Sequence, residues 1–333
     1  MPPSFNKRIR KMKDTSDISL WEKIRMHRLA YYYILPAAIV MLLITVTPMI
    51  YQVWMAFTNY NIVNLRGNPP AFVGLSNFIK IFKNQVPLEN FNFLRTFGFD
   101  VVWTFANVFL HVTIGISLAV ALSTPRLALK KVYRTLLIIP WAMPSYISAL
   151  IFKNMFDADF GAINQLLATI LGHAVKIPWL TNPNAPIKFL PFLSYAFYAD
   201  LITNVWLGFP FMMVVATGAL QSIPHEIYEA AEMDGVNERG KFFRITLPLI
   251  RSAMLPAIML GIVWTFNQFN VIYLVSGGGP LGTTEILVTQ AFKIVNPGGL
   301  YGIASAFGLI VFLILLIITL VTNRITRATE SQI

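Results

Sequence analysis

Apolar residues along this chain gather into long blocks separated by short polar runs, and block length decides the fold class. Six stretches contain no Asp, Glu, Lys or Arg: 29–65, 101–125, 135–152, 201–225, 252–284 and 294–323. A helix needs roughly 20 mostly apolar residues to cross ~30 Å of hydrocarbon, with a usable range of about 17–25. All six stretches supply that. The shortest, 135–152, is flanked by Arg134 and Lys153, whose stems can reach the interface. The pattern predicts spans over roughly 31–57, 100–123, 133–153, 200–222, 250–274 and 301–323. Pro36, Pro48, Pro140, Pro144, Pro210 and Pro256 fall inside them, which neighbouring helices make tolerable by satisfying the freed carbonyls. A further uncharged run, 160–175, is too short to span and carries Asn, Gln and His, so it reads as an amphipathic or interfacial helix. The expectation is an all-α membrane protein with six transmembrane helices.

Charge then sets the orientation. With the N-terminus inside, the inner segments hold eighteen Lys and Arg: eight in 1–28, four in 126–134, four in 225–251 and two at the C-terminus. The outer segments hold the remaining eight. That bias predicts N-in and C-in. It also accounts for most of the +11 net charge, so no nucleic-acid partner is expected. The chain therefore divides into a basic cytoplasmic segment (1–28), a six-helix permease domain (29–323) and a cytoplasmic tail (324–333). The apolar run after Arg28 far exceeds a typical signal-peptide core, which predicts an uncleaved first span. With 0 cysteines, disulfides, thiolate metal sites and Cys nucleophiles are excluded.

Sites of covalent chemistry are equally absent from the pattern. The glycine-rich SGGGPLGTTE (276–285) lacks the Gly-Lys-Ser/Thr of a nucleotide loop. His225-Glu226 opens a zinc-like motif, but position 229 is Glu rather than His, so no metal is expected. The spans show no acid near their centres; Asp100 and Asp200 fall at their outer ends, and His111 is the lone titratable group inside. Intramembrane acids usually carry proton or ion work. Their absence argues against a secondary transporter and favours a non-enzymatic chain driven by a partner, with no cofactor of its own. His111 is expected to pack through a hydrogen bond.

One short run breaks the oily pattern. Residues 224–250 read PHEIYEAAEMDGVNERGKFFRITLPLI, and five of the chain's fifteen acids lie between Glu226 and Glu238. Pro224 suits a first helical turn, Glu226 complements the positive end of the helix dipole, and Gly235 suits a left-handed terminator. A helix over 224–234 is predicted, with Ala230 and Ala231 permitting close approach. A second short helix over about 237–245 then leads into Leu247-Pro248. Four basic against five acidic residues make a poor positive-inside loop, so a docking hairpin fits better.

The spacing Glu-Ala-Ala, three residues, Gly, nine residues, Ile-x-Leu-Pro resembles the cytoplasmic "EAA" loop of ABC importer permeases. Glu229, Ala230, Ala231, Asp234, Gly235, Ile245, Leu247 and Pro248 carry the match within 224–248. The resemblance implies a type I ABC importer permease with a coupling helix that docks onto a cytoplasmic ATPase. FVGLSNF (72–78), YRTLLIIPWAMPSYIS (133–148), NVWLGFPFMM (204–213), ALQSIP (219–224) and GGGPLGTTE (277–285) are similar to the carbohydrate permeases. Among these, the larger membrane subunit of maltose/maltodextrin importers is most similar. That subunit has extra N-terminal spans and a large extracytoplasmic insertion, whereas six spans and modest outer loops are predicted here.

A sugar pathway needs hydrogen-bonding groups for hydroxyls and flat aromatic faces for C–H surfaces. Trp141 and Ser145 are four apart on span three. Asn204, Leu207, Gly208 and Phe211 occupy one face of span four at i, i+3, i+4, i+7. Trp264, Thr265 and Gln268 share one side of span five, with Asn267 and Asn270 close by. Interhelical hydrogen bonding and close packing use the same residue types, so Gly208 alone decides nothing. The resemblance implies that these positions match sugar-contacting ones in the maltose family, with Gln268 and Thr265 standing where that family has amides. The function expected is a permease subunit of an ATP-driven importer in the cytoplasmic (inner) membrane of a prokaryote. Its cargo would be a maltodextrin-like oligosaccharide. The partners implied are a second, unlike permease in a heterodimer, two ATPase subunits and an extracytoplasmic solute-binding protein. The alternatives are an acidic polysaccharide fragment or glycerol phosphate carried by the same machinery, or a secondary sugar transporter. A phosphate or uronate would call for Lys or Arg inside the spans, and none is seen there.

Overall fold

The computed structural model describes residues 28–124 and 127–330; the basic segment 1–27 and the last three residues, expected to be cytoplasmic, lie outside the described residues. The described chain is nearly all helical, with a single isolated bridge between Thr58 and Phe72. Among the described residues, five helices are long and apolar enough to cross a membrane, and a bent pair brings the number to six if it is taken as one span.

The described residues of the first unit, which ends at Met55, belong to helix α1 (Arg28–Ala56). Pro48 has no N–H to donate back along the helix. Just ahead of it, Leu42–Val46 widens into a π turn, in which the Thr47 N–H bonds Leu42 O. The Thr47 hydroxyl adds a second bond to the same carbonyl at 2.8 Å.

In the second unit, α2 (Ser76–Phe82) precedes the long α3 (Phe93–Ser123). Next come α4 (Lys130–Ala142), α5 (Ser145–Met155), α6 (Ala162–Leu171) and α7 (Tyr195–Gln221). The α8 helix (His225–Met233) and α9 (Glu238–Lys241) form a hairpin that runs into α10 (Leu247–Phe266). The remainder is α11 (Phe269–Val271), α12 (Leu287–Val295) and α13 (Tyr301–Glu330). The centre is the α3–α7 pair, against which α10 packs. Gly115 makes that pairing possible: a Cβ there would lie 2.6 Å from Met212 Cβ and 2.8 Å from the Met213 amide.

Two apolar layers sandwich a polar belt. Towards the α8 end, Ile116, Ala119, Met212, Ala216, Ile250 and Met254 pack together. Towards the opposite end, Trp103, Phe197, Val271, Ile272 and Val275 do the same. Between the layers lie buried Asn107, His111, Asn204 and Thr265.

Three expectations need correction. Span three is broken, because α4 and α5 meet at 94°. Pro144 disfavours the helical region for the residue before it, and Met143 is extended at φ −80°, ψ 140°. Trp141 and Ser145 therefore sit on different helices rather than on one continuous span. Second, α3 and α7 begin earlier than expected, at Phe93 and Tyr195, so Asp100 and Asp200 lie one to two turns inside their outer ends and both are 0% exposed. Asp100 Oδ2 accepts the Leu287 N–H at 3.1 Å, tying α3 to the start of α12. Third, the second arm of the charged hairpin, α9, is a single turn rather than a helix over 237–245. It continues through a π turn, Phe242–Thr246, directly into α10.

Candidate functional site

A cavity of about 440 Å³ opens at the polar belt. All nine residues expected to form the pathway line it: Trp141, Ser145, Asn204, Leu207, Gly208, Phe211, Trp264, Thr265 and Gln268. Local breaks aim several of them. The Pro144 bend brings Trp141 and Ser145 to the same wall from two helices. The α10 helix ends at Asn267, and Gln268 leaves helical geometry at φ −76°, ψ 73°. Its side chain projects from that break rather than from a shared helix face with Trp264 and Thr265. Asn270 Nδ2 donates to Ser145 Oγ at 2.9 Å and closes the wall between α11 and α5.

The aromatic side is an arc. Phe211 stands between the two indoles, its centroid 5.9 Å from Trp141 and 5.4 Å from Trp264, with rings tilted by 44° and 54°. These spacings favour mutual packing. Trp141 and Trp264 nevertheless stay 49% and 51% exposed, so their faces are open to another molecule.

The polar side is a chain of three amides whose direction is fixed. Asn107 Nδ2 donates to the Trp103 carbonyl at 2.8 Å, an acceptor that cannot reverse roles. Asn107 Oδ1 must then accept from Asn204 Nδ2 at 2.8 Å, and Asn204 Oδ1 from Gln268 Nε2 at 3.0 Å. Asn107 and Asn204 are buried and satisfied, while half-buried Gln268 ends the chain at the cavity with its Oε1 unspent. Trp103 Nε1 donates to the Thr265 carbonyl at 3.2 Å and joins α3 to α10 beside this chain.

His111 sits where a hydrogen-bonded packing role predicts. Its Nε2 donates to the Asn204 carbonyl at 3.0 Å, and the ring lies directly over Gly208, where any Cβ would collide with it. Gly208 thus serves both readings at once, seating the imidazole and lining the cavity. Asn107 escaped the sequence reading. Its signal is Trp103, Asn107 and His111 at i, i+4, i+8 on α3, but the partner Asn204 is 97 residues away.

The charged hairpin forms a second candidate region at the far end of α7 and α10. Pro224 takes the cap position just before α8, and Gly235 is left-handed at φ +75°. Glu229, Ala230, Asp234 and Gly235 are exposed, while Ala231 packs inward. Ile245 lies half-buried in the π turn, and Leu247 and Pro248 are exposed where α10 begins. Within the hairpin, the Lys241 ammonium lies 2.5 Å from Glu232 Oε1 and 2.8 Å from Glu238 Oε1. Its hydrogen bond and charge hold the Glu232 carboxyl below its ordinary value of 4.5. A depressed carboxylate contributes above that value and loses its contribution only as pH falls below it, so the tie is intact at neutral pH.

The comparisons with known proteins agree with this geometry. Residues 111–331 match the family model of the binding-protein-dependent transport system inner membrane component. GanP, a galactooligosaccharides transport system permease protein of Bacillus subtilis (strain 168), is 34% identical over 307 residues, covering 89% of this chain and 70% of GanP. MalF, a maltose/maltodextrin transport system permease protein of Escherichia coli (strain K12), is 35% identical over 288 residues, 83% of this chain but 53% of MalF. The chain thus matches about half the length of MalF. Among solved structures, a chain of the bacterial alginate ABC transporter in complex with alginate pentasaccharide-bound periplasmic protein superposes with a TM-score of 0.76. It is 23% identical, with 93% of this chain and 97% of that chain covered. The fold is that of an ABC transporter permease, and the chain belongs to the family of binding-protein-dependent transport system inner membrane components.

Proposed function

We propose that the chain is one of two unlike permease subunits of an ATP-driven importer for a neutral, maltodextrin-like oligosaccharide. The observation that carries this reading is the cavity itself. Half-exposed indoles flank Phe211 on one side, and on the other an anchored amide chain offers a free carbonyl oxygen. Aromatic faces suit the C–H surfaces of a sugar ring, and a fixed acceptor suits a hydroxyl. Its volume falls within the ~300–1,000 Å³ of small-ligand sites. No Lys or Arg lines it, which disfavours uronate or phosphate cargo. GanP and MalF, both named as sugar permeases, support the same class.

In this reading the second permease walls the open side of the cavity, and a solute-binding protein delivers cargo from outside. Two ATPase subunits dock at the hairpin, where Glu229, Ala230 and the exposed Ile227 and Met233 face out. ATP-driven closure would move α8 and rock the spans from inward- to outward-facing. The chain does no covalent chemistry, lies in the cytoplasmic membrane, and keeps both termini inside.

The test is uptake into proteoliposomes holding the purified importer, with neutral and uronate-containing oligosaccharides offered separately. Uptake of the neutral sugars that needs both ATP and the binding protein is expected. Uptake driven by an ion gradient without ATP would replace the reading with a secondary transporter.

A further inference from the structure

Lys241 is nearly enclosed, with only 7% of its side chain exposed, whereas the neighbouring cations Arg239 and Arg244 are open to water. Its two partners come from different arms. Glu232 belongs to α8, and Glu238 to the first turn of α9, three residues before Lys241. A second tie runs parallel to the first: Tyr228 Oη lies 2.9 Å from Thr246 Oγ1, joining α8 to the end of the π turn. Asn237 caps the second arm, its Oδ1 accepting the Gly240 N–H at 2.8 Å.

The consequence is mechanical. A two-armed hairpin turning at a left-handed glycine flexes readily at that glycine. Here the arms are held at two points, just before the Phe242–Thr246 π turn and at its last residue. The second arm does not stop there. It continues as α10, which ends beside the cavity at Trp264 and Thr265. Glu232 and Glu238 are 64% and 88% exposed, so neither pair adds much stability by itself. The enclosed stem of Lys241 leaves its ammonium few other positions, so the two pairs fix the geometry of the arms rather than add to stability.

We propose that Lys241 is a positioning residue for coupling: with the Tyr228–Thr246 bond, it welds α8 to α10 so that displacement of α8 reaches the cavity undiminished. The inference rests on the reading of α8 as the ATPase-docking helix and adds residues outside the Glu-Ala-Ala spacing. Neither Glu232, Lys241, Tyr228 nor Thr246 belongs to that spacing.

The experiment compares Lys241→Met, Lys241→Arg and the pair Tyr228→Phe with Thr246→Val in the importer purified with its ATPase. Sugar moved per ATP hydrolysed is measured in proteoliposomes. Methionine keeps the buried stem and removes the charge. Lys241→Met is expected to retain the ATPase and its hydrolysis while sugar per ATP falls about three- to tenfold, within the usual range for coupling changes. Lys241→Arg should restore most of it, and the Tyr228/Thr246 pair should lower it less. An unchanged ratio in Lys241→Met overturns the weld, as does loss of the ATPase, which would make Lys241 a docking residue. A docking failure is told apart by Glu229→Lys. If that variant also leaves retention and sugar per ATP unchanged, α8 is not the docking helix and the inference falls with it.

Discussion

The cavity and the hairpin are both built on α7 and α10, but they are held together in opposite ways. At the cavity, amides from α3, α7 and the break after α10 are neutral, buried or half-buried, and fixed in direction by one backbone carbonyl, with the Gln268 oxygen left over. At the hairpin, one enclosed ammonium gathers two carboxylates that remain in water. A neutral amide chain can face a neutral ligand without a desolvation penalty for charge. An ion-tied hairpin keeps its shape while its outer face stays free for a protein partner. The first region should therefore discriminate among cargoes, and the second should be blind to them. That contrast can be tested.

The largest effect should come from the joint both regions share. Gly115→Val puts a branched side chain against the backbone of Met212 and Met213, atoms that cannot swing aside. Overpacking of this kind costs about 1–3 kcal/mol and sometimes more, and a backbone clash belongs at the upper end. Thermal unfolding of the purified complex should show it, together with loss of uptake for every sugar. Gly208→Ala should cost less, since it meets the His111 ring rather than backbone. The reverse order would mean that α3 and α7 do not cross at Gly115 as described.

Next comes the hairpin. Gly235→Val forces a β-branched residue to φ +75°, at about 1–2 kcal/mol for the left-handed region, and Glu229→Lys reverses an exposed charge on α8. Together they should release the ATPase or uncouple hydrolysis from uptake, equally for all sugars, with membrane insertion intact. Copurification of the ATPase and the uptake ratios among sugars check both halves. A defect that depends on the sugar would erase the contrast between the regions.

How far the sequence already carried each region follows from where its contacts lie. The hairpin was legible because its signals are local: Pro224, Gly235 and the Glu-Ala-Ala spacing lie within 25 residues. Even so, the Lys241–Glu232 tie joins residues nine apart across a turn, a spacing that no helix rule predicts. On α7 periodicity grouped Asn204, Leu207, Gly208 and Phe211 on one face, and the resemblance to carbohydrate permeases implied that this face lines a pathway. The kink at Pro144 was under-read, since a proline inside a span permits either a mild bend or a break, and only packing decides. Asn107 shows only its i, i+4, i+8 spacing with Trp103 and His111, and its partner is 97 residues away; the contact that holds Asp100 is still farther, at Leu287.

A smaller effect separates lining from packing at Gln268. Leucine there removes the last amide and leaves Asn204 Oδ1 without its donor. If Gln268 only bridges helices, the loss should be about 0.6 kcal/mol in complex stability and the same for every sugar. If its Oε1 meets cargo, a hydroxyl left unpaired in a confined site costs about 1–3 kcal/mol, and only for sugars that place one there. Uptake of several oligosaccharides, measured beside detergent stability, tells these apart. A uniform flux loss that tracks stability would remove Gln268 from the site.

The smallest expected effect belongs to the aromatic arc. Trp141→Ala removes one half-exposed indole while Phe211 and Trp264 keep their contact at 5.4 Å. An aromatic pair contributes about 0.5–1.5 kcal/mol beyond buried area; an indole already half in solvent should sit near the lower figure for folding. Its larger role would be with cargo, whose C–H faces lose one of two flanking rings. The apparent affinity for sugar should therefore weaken about two- to tenfold, the same energies read as an equilibrium, with little change in complex stability. Trp141→Phe should recover part of that loss, because a smaller ring still presents a flat face. If Trp141→Ala instead lowers stability and leaves affinity untouched, the arc is packing between α4, α7 and α10, and the cavity's discrimination rests on the amide chain alone.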